Sequence, residues 1–451
     1  AFEDTWQWDA IAARTYELTV EKGGAVAKAL IAFRGLLGDS NMMAYLAMMA
    51  PRLVELHRVL KNTGSLYLHC DPTASHYLKI LLDMIFGVDN YRNEITWKRQ
   101  TAHSDAKYQF SNVSDTILFF VKTSDAGFNP QYGEHDPDYI EKFYRFDDND
   151  GRGPYSSSNM ASPNPRPNMM YEWKGFPYPS KGWRYQKSTM EKLDAENRIL
   201  YPRKEDGTFD YSKRLRLKRY LKEQRGSIIT NVWTDISPLQ YSSAERLGYP
   251  TQKPQELLER IIKASSDEGD IILDPFCGCG TAIAAAQKLG REWIGIDITH
   301  LAIGLIKRRM ADQFGDNLNY EVIGEPTTIE GAQELSDMDK FQFEWWALGL
   351  VGARPADPKK GSDRGIDGRL YFHDDETGKT TQVIISVKGG DTGVSHIRDL
   401  VGVLDRENAQ IGVLISMREP TQPMRSEAAS AGFYDSPWGK HPRVQILTIE
   451  E

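Results

Sequence analysis

A chain of 451 residues has room for two or three domains, each with its own core. It shows no apolar run long enough to span a bilayer and no signal-peptide pattern, so the expectation is a cytoplasmic protein without a membrane partner. The net charge of −8 argues against a nucleic-acid partner only until it is mapped: residues 151–250 hold 18 Lys and Arg against 10 Asp and Glu, a balance of +8 that leaves −16 elsewhere. Cys70, Cys277 and Cys279 have no histidine cluster beside them, so small buried thiols are a better reading than a disulfide framework or a zinc site.

In chain order, Ser65–Cys70 reads as a strand, followed by Asp71-Pro72 and a helix over 73–86. Strands are expected over 90–99 and 115–123. Residues 125–245 are loop-rich, with Gly151-Arg152-Gly153-Pro154 and Pro163-Asn164-Pro165-Arg166-Pro167, and they resist assignment; long surface loops and ordering on DNA both fit. Within them Lys213, Arg214, Arg216, Lys218 and Arg219 form a basic run, with Tyr171, Trp173, Trp183, Tyr185, Tyr201, Tyr211 and Trp233 interleaved through the region. Basic side chains beside a phosphate backbone supply most non-specific affinity, so these five are candidate DNA contacts; the plainer reading is a solvated helix face.

Next come Thr251-Gln252-Lys253-Pro254, a helix, and Ile271-Ile272-Leu273-Asp274-Pro275-Phe276-Cys277-Gly278-Cys279-Gly280-Thr281. Ile271–Leu273 reads as a parallel strand buried on both faces. Gly278 and Gly280 remove side chains where the backbone turns sharply and meets a ligand, and residues 281–289 are helix formers stopped by Gly290. A second strand ends in Gly295-Ile296-Asp297, where open α/β sheets place an acid on ribose hydroxyls.

The Asp274–Thr281 run, the Gly-Ile-Asp acid and the preceding Thr-Gln-Lys-Pro together resemble the permuted (β-group) site-specific DNA amino-methyltransferases, which use S-adenosylmethionine. The resemblance covers residues 1–325. It implies that Asp274, Phe276, Gly278, Gly280 and Thr281 surround the methionine part of the cofactor, and that Asp297 takes the ribose hydroxyls. It places Thr251 and Lys253 beside the cofactor carboxylate, where an ammonium makes a charge-assisted hydrogen bond. The family's catalytic tetrapeptide, Asp (or Asn, Ser)-Pro-Pro-aromatic, is not found: Asp71-Pro72 continues with Thr73-Ala74, and Asp274-Pro275 with Phe276-Cys277. The chain opens at Ala1-Phe2 without methionine, so a missing native amino-terminal piece is expected, with natural loss of catalysis as the alternative. The residue that performs methyl transfer therefore stays unassigned.

Beyond about residue 330, an amphipathic helix is expected over Asp337–Val351, with Phe341, Trp345, Leu348 and Leu350 apolar. Strand 369–372, a turn at 376–379, strand 382–388, helix 397–406 and strand 411–416 follow. That order is similar to the PD-(D/E)xK nuclease core, especially its Mrr-like branch. The resemblance assigns Asp367 as the strand acid, Lys388 as the lysine and Glu344 as a further acid, with magnesium as the cation they would hold. Ser386 stands where the family has a carboxylate or amide, which favours a DNA-binding or structural remnant over an active nuclease.

The expected fold is α/β. It comprises a Rossmann-like methyltransferase sheet with helices on both faces (1–124 and 246–328), an irregular target-recognition insertion (125–245), and a restriction-endonuclease-like α/β domain (335–451). The expected reaction is methyl transfer from S-adenosylmethionine to the exocyclic amino group of a flipped base in double-stranded DNA, adenine N6 ahead of cytosine N4 on the resemblance. Two alternatives stand beside it: a methyltransferase–nuclease fusion that cuts DNA, and a non-catalytic DNA-binding homologue. Homodimers are common in the resembling family, but no interface can be identified in the sequence.

Overall fold

A computed structural model describes residues 6–100, 108, 110–240, 242–315, 317–356, 365–373, 380–437 and 439–450. The chain forms two compact units, one from residues 1–129 with 231–451 and one from Pro130–Thr230. Among the described residues no helix is long and apolar enough to cross a membrane.

In the first unit, three helices, Ala10–Glu21, Gly24–Leu37 and Asn41–Val59, pack with Pro72–Phe86 over one face of a sheet. Local chemistry sets where they start. Asp9 accepts from the Ala12 amide at 2.8 Å, Ser40 from Met43 at 3.2 Å, and Asp71 from Thr73 at 2.8 Å with Pro72 in the first turn. Leu30, Leu46, Leu53, Leu78, Leu82 and Phe120 fill the space between helices and sheet. The strands run in the order Ser65–Cys70, Ser114–Val121, Tyr91–Lys98, Val232–Trp233. Ser114–Val121 pairs antiparallel with both neighbours and is buried from Asp115 to Val121, with an unbroken apolar run over Ile117–Val121. On the far face Tyr67 stacks on Phe119 (4.3 Å between centroids), and its hydroxyl meets Ser265 Oγ at 2.7 Å, at the end of helix Gln255–Ser265.

Ile271–Asp274 and Glu292–Gly295 pair in parallel, with helix Thr281–Lys288 between them in sequence, which makes a strand–helix–strand unit. The expected burial on both faces does not hold: Ile271 is 48% and Ile294 51% exposed. No third strand is hydrogen-bonded to this pair among the described residues.

Towards the carboxyl terminus the helix expected over Asp337–Val351 runs over Lys340–Leu350, preceded by a further helix, Ile329–Met338, that the sequence reading did not include. Asp339 leaves helical geometry and caps Lys340–Leu350, accepting from the Phe341 amide at 2.9 Å and Gln342 at 3.2 Å. The buried face is Phe343, Trp346, Ala347 and Leu348, whereas Phe341 is 69% exposed. A five-stranded sheet follows, Arg354–Pro355, Gly368–Phe372, Thr381–Lys388, Ile411–Ser416, Val444–Thr448 in spatial order, antiparallel over its first three strands and parallel over its last three. Alternate residues of Thr381–Lys388 divide between its faces. Ile384 packs under helices Val394–Glu407 and Gln422–Ser430, and Ile385 and Val387 pack on Lys340–Leu350. The turn expected at 376–379 lies outside the described residues.

The second unit has few elements but a core of its own. Strands Tyr155–Asn159, Arg216–Tyr220 and Ile199–Leu200 form one sheet, and Met160, Trp173, Phe176, Trp183 and Met190 pack together. The interleaved aromatics are thus largely internal. Trp173 donates to the Tyr201 hydroxyl at 2.9 Å and Trp183 to the Tyr171 carbonyl at 2.8 Å. Trp183 is 2% exposed, so Trp183→Ala is expected to lower the stability of residues 130–230 by about 3–5 kcal/mol. Hydrogen exchange should then show lost amide protection confined to that unit; unchanged protection would contradict the assigned core.

Candidate functional site

The glycine turn follows strand Ile271–Asp274 and is tied down by backbone bonds. Cys277 donates to the Ile296 carbonyl at 3.1 Å, and Gly280 to the Cys277 carbonyl at 2.7 Å. Gly280 sits at φ +74°, and a Cβ there would lie 2.7 Å from Ile306, so only glycine fits both the conformation and the space. As the residue preceding helix Thr281–Lys288 it offers no side-chain cap, so the first-turn amides of that helix have no side-chain partner from this position.

Asp297 closes the turn. Its Oδ2 accepts from the Gly278 amide at 2.9 Å, and its Oδ1 from the Thr299 amide at 3.0 Å and hydroxyl at 2.9 Å. Asp274 accepts from the Phe276 amide at 3.1 Å; burial, with the charge of Asp297 adding to it, pushes the Asp274 carboxyl above its ordinary value. Phe276 itself is half exposed. The cysteines are buried, and desolvation raises the Cys277 thiol to about 12, so it is an inert packing group at neutral pH.

Thr281 is buried, and its hydroxyl accepts from Arg309 at 2.9 Å. Arg309, 2% exposed, also donates to the Cys279 carbonyl at 3.1 Å and lies 3.5 Å from Glu245. Thr281 is therefore committed to bracing the turn, and Arg309, which the sequence reading missed, is its brace. The only advance signal was an arginine inside an otherwise amphipathic helix, His300–Phe314.

Thr251 is exposed and adopts φ +65°, a rare conformation for a β-branched residue. The segment around it is held by Gln252, which donates to the Glu245 carbonyl at 2.7 Å and accepts from the Leu247 amide at 2.9 Å. Lys253 Nζ donates to the Thr251 carbonyl at 3.0 Å. Burial lowers the Lys253 ammonium from its ordinary value, and Asp115 and Cys279 act against that shift.

Asp115 anchors a second cluster that sequence reasoning missed. It is 5% exposed, its Oδ2 meets His69 Nε2 at 2.8 Å, and Arg99 Nε lies 3.3 Å from Oδ1. The His69 ring stands edge-on to Trp97, centroids 6.0 Å apart. Burial alone would raise the Asp115 carboxyl, but His69, Arg99 and Lys253 hold it below the ordinary range.

The basic run is not a helix. Arg216–Tyr220 is a strand and Leu221–Glu223 a 3-10 turn. Lys213, Arg214, Arg216 and Arg219 are exposed, with Lys213 3.3 Å from Asp210 and Arg216 bonded to Ser157. Lys218 corrects the expectation: it is 5% exposed and paired with Asp148, so it holds the sheet together and offers no surface charge.

In the carboxyl-terminal sheet, Asp367 Oδ2 accepts from the Val387 amide at 2.6 Å, Ser386 Oγ at 3.1 Å and Lys388 Nζ at 3.3 Å. Asp367 and Lys388 thus come together as expected, with the Ser386 hydroxyl in the same hydrogen-bond set. Glu344 is half-buried on helix Lys340–Leu350. Among the described residues no three His, Cys, Asp or Glu side chains gather to hold a metal ion.

A family model described as DNA methylase matches residues 11–308. A second, described as NACHT-associated inactive Restriction Endonuclease 1, matches residues 341–451. The type II methyltransferase M.EcaI of Enterobacter cloacae is 32% identical over 270 residues, 59% of this chain and 58% of that protein. The type III restriction-modification enzyme StyLTI Mod subunit of Salmonella typhimurium is 26% identical over 275 residues, 58% of this chain and 41% of its own length. DNA adenine methyltransferase YhdJ of Escherichia coli is 49% identical over 80 residues, 18% of this chain and 27% of that protein. The chain spans about half the length of the first two relatives.

Because the Asp115 carboxyl is depressed in the folded state, it stabilises the fold above its unfolded value of about 4, and this contribution is lost as pH falls through the lower folded value. Asp115→Asn should therefore flatten the acid limb of the stability–pH curve in denaturant titrations. An unchanged acid limb would show that the His69–Asp115–Arg99 cluster contributes no linkage.

Proposed function

The chain belongs to the DNA methylase family, and on that premise we propose that it binds S-adenosylmethionine at the glycine turn and methylates an exocyclic amino group, adenine N6 first, of a base flipped from duplex DNA. The single observation that carries the reading is the Asp297 carboxylate bridging Gly278 and Thr299 beside a helix start without a side-chain cap. The donor set suits the ligand. An amino-acid sulfonium nucleoside brings an ammonium, a carboxylate and a ribose diol, and the chain offers Asp274, Lys253 and Asp297 as their complements. Gly278 and Gly280 keep the backbone free of side chains at the turn, and Phe276 offers an aromatic face beside it.

When bound, the cofactor supplies an electrophilic methyl group. The chain's own residues bind and orient it, and alignment of methyl carbon and amino nitrogen supplies the acceleration. No Asp-Pro-Pro-aromatic tetrapeptide occurs in the sequence, so no residue is assigned to the target amino group. Exposed Lys213, Arg214, Arg216 and Arg219 are proposed as phosphate contacts, which position DNA without reading its sequence.

For the carboxyl-terminal sheet we propose a fold that does not cleave DNA. Its strand acid is satisfied by Ser386, Val387 and Lys388, and Ser386 is a poorer cation ligand than a carboxylate. The match to a family described as inactive supports this.

In EDTA, the chain should transfer labelled methyl groups from S-adenosylmethionine to N6 of adenine in mixed-sequence duplex DNA; cofactor binding without label would restrict the reading to binding. Calorimetry should show Asp297→Ala weakening the cofactor by about tenfold or more, since a charge-assisted bond is lost; equal affinity would refute the ribose assignment. With magnesium or manganese, duplex DNA should stay intact, and nicking abolished by Lys388→Ala would overturn the non-cleaving assignment.

A further inference from the structure

Helix Lys340–Leu350 packs on the five-stranded sheet and also runs beside helix His300–Phe314. One face, Phe343, Trp346, Ala347 and Leu348, is buried against the five-stranded sheet. The helix lies against His300–Phe314, the helix that begins three residues after Asp297, and two glycines come together there: a Cβ on Gly304 would lie 3.9 Å from the Gly349 Cα. At the start of this crossing, Gln342 Oε1 accepts the His300 amide at 3.0 Å. That amide is one of the first-turn donors a helix cannot satisfy by itself, and here the partner comes 42 positions along the chain.

The bond is the first link of a continuous series. His300 follows Thr299, whose Oγ1 caps the same helix by accepting from the Ala302 amide at 3.2 Å. Thr299 donates its amide and hydroxyl to Asp297 Oδ1 at 3.0 and 2.9 Å, and Asp297 Oδ2 takes the Gly278 amide at 2.9 Å. At the other end, the backbone of Gln342 is anchored, its main-chain N–H donating to Asp339 Oδ1 at 3.2 Å. A path of hydrogen bonds and single peptide links thus joins the carboxyl-terminal fold to the glycine turn.

We propose that the carboxyl-terminal fold serves as an intramolecular buttress of the cofactor pocket, with Gln342 as a positioning residue that sets the orientation of Asp297. The role rests on the reading of Asp297 as the ribose acid. It gives the fold a function that needs no metal and no DNA cleavage. The substitution at Ser386 does not touch it, because the buttress uses the opposite end of the domain's chemistry: a helix N-terminal cap and a glycine crossing.

The test is S-adenosylmethionine binding to the full chain by calorimetry, with thermal melting measured alongside. Gln342→Ala removes the acceptor and should raise the dissociation constant about three- to tenfold, the worth of one hydrogen bond, with little change in melting temperature. Gln342→Glu keeps an acceptor beside the helix N-terminus and should bind within about twofold of the parent chain. Should Gln342→Ala unfold, Gln342→Lys, which donates but cannot accept, makes the same comparison against Gln342→Glu. Equal affinity in the acceptor-less variants, while Asp297→Ala weakens binding, overturns the buttress and leaves the pocket standing. Equal affinity in Asp297→Ala overturns the pocket assignment and the buttress with it.

Discussion

The constraint on which the rest of the glycine-turn segment depends is the carboxylate of Asp297. One oxygen takes the Gly278 amide and the other the Thr299 amide and hydroxyl, so a single side chain joins the glycine turn to the start of the next helix. Each of these bonds is of ordinary length, 2.9–3.0 Å, and all three converge on one side chain. The turn meets the same demand from below through Arg309, a buried cation spread over the Cys279 carbonyl, the Thr281 hydroxyl and Glu245. With backbone and side chains held in this way, the conformation of the turn is set before any ligand arrives, and the cost of ordering it is met in folding.

Three buried or half-buried aspartates illustrate how environment decides the use of one side chain. Asp115 is surrounded by His69, Arg99 and Lys253 and is held as a carboxylate. Asp274 lacks such cations, lies near Asp297 and is pushed towards its protonated form. Asp367 accepts from a hydroxyl, an amide and an ammonium of one strand segment. All three bonds fall on its Oδ2, so a cation reaching that oxygen would have to displace those donors.

The strand–turn–helix–strand run was legible because its signals are local: an apolar strand, glycines where φ is positive, helix formers, and an acid at the next strand end. Elements of the carboxyl-terminal sheet were legible for the same reason, period-two alternation that places Ile384 and Ile385 on opposite faces. The helix expected over Asp337–Val351 is present over Lys340–Leu350, and only its start was misplaced, because Asp339 prefers to cap. The basic run was misread because its charges are consecutive but its partners are not. Asp148, 70 positions away, takes Lys218 into the interior.

What the sequence by itself determined, then, is the βαβ turn with its acids, the longer strands, the helices after Asp71, Pro254, Gly280 and Gly393, and the pairing of Asp367 with Lys388 across a short strand interval; the three helices over Ala10–Val59 and helix His300–Phe314 were not read from it. Tertiary structure alone decided which charges stay in water, and it alone brought His69 to Asp115, Arg309 to Thr281 and Gln342 to His300, pairs 46, 28 and 42 positions apart. The physical reason is range. Backbone preference and periodicity act over one or two turns of chain, whereas the partner of a buried polar group is set by which surfaces the cores press together.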